Sequence, residues 1–146
     1  IEGNRFRGNT NALYLEGANR LTVRGNRFEG NGWAIRLLAN STGNRFEGNL
    51  FAGNAFDVAT NSRGASSTFV GNYWDQYRGF DRDHDGRGDR PHRPVRLFSL
   101  VVEQNDPALI LLRSPFVALL DQAERVLPIL TPELLLDPAP LMEPPR

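Results

Sequence analysis

The chain has no cysteine and no lysine, a single methionine (Met142), two histidines (His84 and His92), and no excess of charge of either sign. Each shortage excludes something. Without cysteine there is no disulfide framework, no thiolate zinc site and no cysteine nucleophile, and any soft-metal chemistry falls to histidine or methionine. Seventeen acids balance 17 basic residues, all of them arginine and spread along the chain. This gives no support for a nucleic-acid binder, whose footprint is a basic excess on one face. No apolar run approaches the roughly 18 residues of a membrane-spanning helix, and no signal peptide is visible. At 146 residues the expectation is one domain, or one domain with an appendage. Ile1 already lies inside a repeat, so the sequence reads as the C-terminal piece of something longer, or a processed product.

What is present is repetition. Ile1-Glu-Gly-Asn-Arg-Phe6 recurs as Val23-Arg-Gly-Asn-Arg-Phe28, Phe46-Glu-Gly-Asn-Leu-Phe51 and Phe69-Val-Gly-Asn-Tyr-Trp74, in steps of 22, 23 and 23 residues. A second asparagine follows each aromatic at Asn9, Asn31 and Asn54, and apolar positions follow at Leu13, Ile35 and Val58. Strand-like pieces this short cannot bury a face alone, but stacked they can. The period is too short for most helix-pair repeats and lacks the leucine spacing of leucine-rich repeats. It predicts an all-β fold, a parallel β-helix over residues 1–74, right-handed because that crossover dominates among parallel strands.

In that fold Phe6, Phe28, Phe51 and Trp74 form one interior aromatic column. Asn4, Asn26, Asn49 and Asn72 form one ladder, and Asn9, Asn31 and Asn54 a second, each amide bonding the next coil. Two competing readings are weaker. Hairpin turns in an antiparallel sheet need not recur at a fixed period with fixed neighbours, and asparagines as sugar or metal ligands are not needed once ladders account for them. Glu2, Glu16, Glu29, Glu47 and Asp57 fall at mismatched or widely separated registers. They read as a solvated face with no catalytic carboxylate pair.

The fourth repeat breaks after Trp74, where Gln76-Tyr77 stands in place of the second Gly-Asn. A capping segment over 75–94 follows, because an open coil end is an unpaired edge. It contains Asp81, Asp83, Asp85 and Asp89 with Gly86 between, spaced like positions 1, 3, 5, 9 and 6 of a calcium loop. Arg87 would offer a backbone carbonyl at position 7. His92 stands at position 12, where an EF-hand has glutamate, so the expectation is an incomplete calcium loop. The plain alternative is an aspartate turn satisfied by its own backbone and arginines.

Residues 95–146 change period. Leu97, Leu100 and Val101 suggest a short helix. Ser114-Pro115 starts a second, with Phe116, Leu119, Leu120, Ala123, Val126 and Leu127 on one face, and Thr131-Pro132 a third through Leu136. The proline-rich end, 137–146, reads as extended and mobile. Ile110, Leu111, Leu112, Phe116, Leu119, Leu134 and Leu135 offer more apolar surface than the tail can bury on itself. Part would cover the last coil, and the remainder would be a partner-docking patch.

The run GNYWDQYRGFDRDHDGRGDRPHRPVRLFS resembles the junction of NosD proteins, periplasmic accessory factors for copper-site assembly in nitrous oxide reductase. The preceding repeats, Pro-His-Arg-Pro, the leucine-rich tail and the late Pro-Leu-Met extend the resemblance over essentially the whole chain. It implies a non-enzymatic, right-handed parallel β-helix in the periplasm, acting beside an ABC ATPase and a membrane permease in copper delivery or maturation of the reductase. The signal peptide and most of the family's coils are missing from the sequence. Copper then becomes a cofactor by resemblance, with His84, His92 and Met142 as the candidate ligands here and calcium as a separate candidate for the loop. A carbohydrate-binding or carbohydrate-processing β-helix, and a structural surface module, are the alternatives in other function classes.

Overall fold

The computed structural model describes residues 1–61, 67–95 and 135–145, together with Pro115, Leu119 and Gln122. Ten short strands run in chain order: β1 Arg5–Arg7, β2 Asn11–Leu15, β3 Thr22–Arg24, β4 Arg27–Glu29, β5 Trp33–Leu37, β6 Arg45–Glu47, β7 Leu50–Ala52, β8 Phe56–Thr60, β9 Thr68–Val70 and β10 Tyr73–Trp74. Every third strand joins the same sheet, giving orders β1-β4-β7-β10, β2-β5-β8 and β3-β6-β9. All pairings are parallel, and the register follows the sequence period: Phe6 faces Phe28, Phe28 faces Phe51, and Phe51 faces Trp74. This is a parallel β-helix of three sheets.

The reason lies in which residues repeat. The glycine before each ladder asparagine is left-handed, with φ of 60° at both Gly25 and Gly48, a conformation that costs glycine little. Each such corner starts a new strand, and each strand is too short to be stable without its neighbours above and below. Inside, the rings of Phe6, Phe28, Phe51 and Trp74 stack at centroid distances of 4.9, 5.0 and 4.2 Å, within 7° of parallel. That separation is close to the spacing between paired strands, so the backbone ladder itself sets the stacking. Phe46 on Phe69 (4.5 Å) makes a second column, with Val23 at its start. Phe28, Phe46 and Phe51 are fully buried, and each such side chain contributes about 1.5–3 kcal/mol by leaving water.

At the last coil the chain closes on itself. Val95 bridges Val58, and Leu141 bridges Tyr73, both in the parallel sense. Three expectations about the tail need correcting or placing. Segment 137–145 is not a loose end: Asp137 is completely buried and Pro140 is buried with it, because hydrogen bonds tie them to the coil end. Leu135, expected on the docking patch, belongs to the core cluster. Neither it nor Leu136 is helical, since the chain must turn there to deliver Asp137. Pro115, Leu119 and Gln122 are helical and exposed. The remaining residues of the expected helices and docking patch, including Ile110, Leu111, Leu112, Phe116 and Leu134, lie outside the described residues.

Candidate metal-binding turn at the coil end

The first asparagine ladder is continuous. Asn4 Nδ2 donates to Asn26 Oδ1 (3.1 Å), Asn26 to Asn49 (3.1 Å) and Asn49 to Asn72 (2.9 Å). The backbone N–H of Asn4, Asn26 and Asn49 donates to the same acceptors at 2.9 to 3.0 Å. The second runs from Asn9 to Asn31 to Asn54 at 3.1 and 3.0 Å. Their amides are spent within the fold, which leaves no side-chain group of the buried members to face a ligand. A third corner escapes the sequence pattern: Asn44 Oδ1 accepts from the Leu21 N–H (2.9 Å) and its Nδ2 donates to the Ala18 carbonyl (2.9 Å). Its neighbours in register are Leu21 and Ser67, so no repeat reveals it.

On the outer faces the acids are paired with arginine. Glu2 binds Arg24, Glu47 binds Arg45, and Glu29 lies 2.6 Å from Arg5 and 3.6 Å from Arg27. The hydrogen bond from Arg5 holds the Glu29 carboxyl below its ordinary range, against a smaller opposing effect of desolvation. A shallow groove of about 390 Å³ is lined by Arg24, Arg45, Glu47, Arg87, Val70 and Leu141 among others. Glu47 is the one carboxylate in that lining, and its partner is Arg45. A hydrolytic site needs two carboxyls facing one bond, and this groove does not supply them.

The capping segment is built around Tyr77. Its hydroxyl donates to the Arg90 carbonyl (2.7 Å), and its ring passes where a Cβ on Gly79 or Gly88 would stand, 1.8 and 2.0 Å from the hydroxyl oxygen. Burial raises the Tyr77 hydroxyl above its usual pKa. His92 lies between Trp74 (4.9 Å) and the edge of Tyr77 (5.8 Å), so this position extends the aromatic column and does not complete a calcium loop.

Outside this packing stands the aspartate turn. One carboxylate oxygen each of Asp81, Asp83 and Asp85 lies within 4.8 Å of the others. The turn is shaped by its own backbone: Asp81 accepts from the Asp85 N–H (3.2 Å) and the Gly86 N–H (2.9 Å), and Asp85 accepts from the Arg87 N–H (2.7 Å). Left-handed backbone at His84 (φ 59°) and Gly86 (φ 83°) closes it. Desolvation raises the Asp81 carboxyl, but the hydrogen bonds it accepts from Gly86, Asp83, His84 and Asp85 outweigh that and hold it below its ordinary value. Asp83 is pushed up, first by its hydrogen bond to Asp81 and then by the charge of Asp85.

The expected ligand sets separate under this geometry. Asp81, Asp83 and Asp85 converge, and their oxygens fit a hard cation such as calcium. Asp89 does not join them; its carboxylate accepts from the Arg82 N–H (2.8 Å). Arg87 pairs with Leu141 through bonds made by the flanking residues, Gly88 to Pro140 and Met142 to Gly86. For copper, His84 is exposed on the turn, His92 is stacked on Trp74, and the Met142 backbone is bonded beside the turn. Among the described residues, the grouping of three or more His, Cys, Asp or Glu within ligand reach contains no imidazole.

Comparison with known proteins agrees with the coil architecture and the junction. The family model described as "Periplasmic copper-binding protein (NosD)" matches residues 1–79, more than half of the 146. The "Probable ABC transporter binding protein NosD" of Pseudomonas aeruginosa is 34% identical over 146 residues. That match covers 99% of this chain and 29% of the relative, so the chain spans well under a third of the relative's length. With its repeat register, its junction and its tail all inside these matches, the chain belongs to the NosD family.

Proposed function

We propose that this chain is part of a non-enzymatic periplasmic accessory protein for copper-site assembly of nitrous oxide reductase, acting with an ABC ATPase and its membrane permease. The observation that carries the reading is the family membership, together with a relative whose name makes it an ABC transporter binding protein. The coils supply a right-handed scaffold whose buried asparagines bond from rung to rung. The arginine-paired outer acids, and a groove without two facing carboxyls, support a scaffold over a hydrolase.

Two site assignments accompany this reading. The Asp81, Asp83 and Asp85 turn takes calcium, with the Arg87 carbonyl as an outer contributor, and the ion braces the cap. Copper is carried by the full-length protein. His84, His92 and Met142 are this chain's candidate ligands, completed by groups elsewhere in the full-length protein or on a partner.

The docking surface is the leucine-rich tail, through Leu119, an exposed leucine (66%) on a helical residue. Deleting the tail would be a poor test, since it also removes Leu135 and Asp137 and opens the coil end. Substituting Leu119→Asp in the full-length protein leaves the core untouched. Co-purification with the permease is expected to fall about tenfold. Unchanged co-purification would remove the docking assignment.

A further inference from the structure

The two ladders have a direction. Along each ladder an asparagine donates its backbone N–H and one Nδ2–H to the Oδ1 of the next rung, as Asn26 and Asn49 do, while the other Nδ2–H returns to a carbonyl of the preceding coil, as from Asn49 to Val23 (2.9 Å). At the last rung this leaves donors without a coil to receive them, much as the first turn of a helix leaves orphan N–H groups. A regular rung asks two separate things of the coil that follows. A side-chain oxygen must accept from the asparagine, as Asn49 Oδ1 accepts from Asn26 N and Nδ2 at 3.0 and 3.1 Å. A backbone carbonyl must accept from the preceding glycine, as Glu47 O accepts from Gly25 N at 3.2 Å.

We propose that Asp137 is the terminal cap of the first asparagine ladder, one carboxylate meeting both demands, and that the strap it anchors, 137–145, positions the aspartate turn. Asp137 Oδ2 takes the side-chain role, accepting from Asn72 N (2.9 Å) and Asn72 Nδ2 (3.0 Å), and also from Trp74 Nε1 (3.1 Å). Oδ1 takes the carbonyl role, accepting from Gly71 N at 2.9 Å. Asparagine could do only the first, because its second atom is itself a donor. A fully buried carboxylate surrounded by N–H donors is the residue the polarity calls for.

The second ladder ends in the same chemistry, divided between two acids. Gly53 N donates to Asp75 Oδ2 (2.6 Å), and Asn54 Nδ2 donates to Asp57 Oδ1 (3.1 Å). From Asp137 onward, the strap makes five more backbone ties. Asp137 and His92 exchange two bonds of 2.9 Å, Gly88 N donates to Pro140 O (2.8 Å), and Leu141 N to Asn72 O (2.9 Å). Met142 N then donates to Gly86 O (3.0 Å), inside the aspartate turn. Asp137 is thus a positioning residue for that turn, acting through the strap. This does not depend on the turn binding a metal or on any role in copper assembly.

Amide exchange read residue by residue in the intact chain tests it, with three variants. Asp137→Asn keeps the Asn72 acceptor and removes the Gly71 acceptor. Gly71 is expected to exchange about ten- to a hundred-fold faster, with Asn72 changing much less. Asp137→Ala removes both, so Gly71, Asn72, Gly88 and Met142 all lose protection while Phe6 and Phe28 in the early coils keep theirs. Leu141→Pro removes the tie to Asn72 O without touching the carboxylate; Gly88 and Met142 are expected to speed up and Gly71 to stay protected. The proposal is overturned if Gly71 keeps its protection in both Asp137 variants, or if all coils lose protection equally. Unchanged exchange at Gly88 and Met142 in Leu141→Pro would overturn the positioning role. This last variant perturbs only the strap, so it decides that claim even if an Asp137 variant does not fold.

Discussion

Asp81 and Asp83 differ by one intervening residue and are displaced in opposite directions, one carboxyl held below its ordinary range and its neighbour above it. The consequences for pH have opposite signs. The folded turn binds the Asp83 proton more tightly than the unfolded chain does, so falling pH through that range favours the turn when no cation is present. Asp81 contributes above its unfolded value, and its contribution is lost when pH falls through the lower folded value. A divalent cation competes with protons for these carboxylates. Calorimetric titration with calcium is therefore expected to show affinity falling as pH drops, with the loss beginning above the ordinary aspartate range because of Asp83. Asp83→Ala/Asp85→Ala should abolish the heat. No calcium heat from the wild-type chain near neutral pH would end the calcium assignment. The convergence of Asp81, Asp83 and Asp85 was legible from spacing alone. The diversion of Asp89 to the Arg82 amide was not, since a fourth aspartate looks the same in sequence whether it faces a cation or a backbone N–H.

At the scale of the element, the period of asparagines and aromatics was enough to place the coils, their register and their core, because in a solenoid each contact repeats the one before it. Phe28 over Phe51 and Asn26 over Asn49 are the same statement made by two columns. Asn49 sits in the middle of its ladder and is fully buried. Replacing it with alanine leaves the Asn26 N–H and Nδ2 without their Oδ1 acceptor. At about 1–3 kcal/mol for each buried group left unpaired, Asn49→Ala is expected to lower the thermal midpoint by several degrees or more. Exposed Asn4, at the other end of the described ladder, should tolerate the same change far better. Equal midpoints for the two variants would mean the ladder is incidental to stability. The cap was not legible, because Asp137 follows Asn72 by 65 residues and shares no period with it. A repeat announces its rungs but not the residue that ends them. Reading 137–146 as loose followed from proline content; the buried carboxylate reverses it.

For the whole molecule, the coils tie their asparagines to one another, the junction closes the stack, and the strap locks the junction to the last rung. What this chain then offers outward is an arginine-rich, ion-paired face, an acidic turn and an exposed leucine on a helical residue. None of these is a catalytic constellation, and all are compatible with a scaffold that holds partners. The account's central claim is a role in loading copper, and it is tested most directly by the copper content of nitrous oxide reductase purified from cells that lack this protein. The reductase is expected to be made but deficient in copper, with normal content restored by the full-length wild-type protein and not by Leu119→Asp. A fully copper-loaded reductase from cells without the protein would contradict the account.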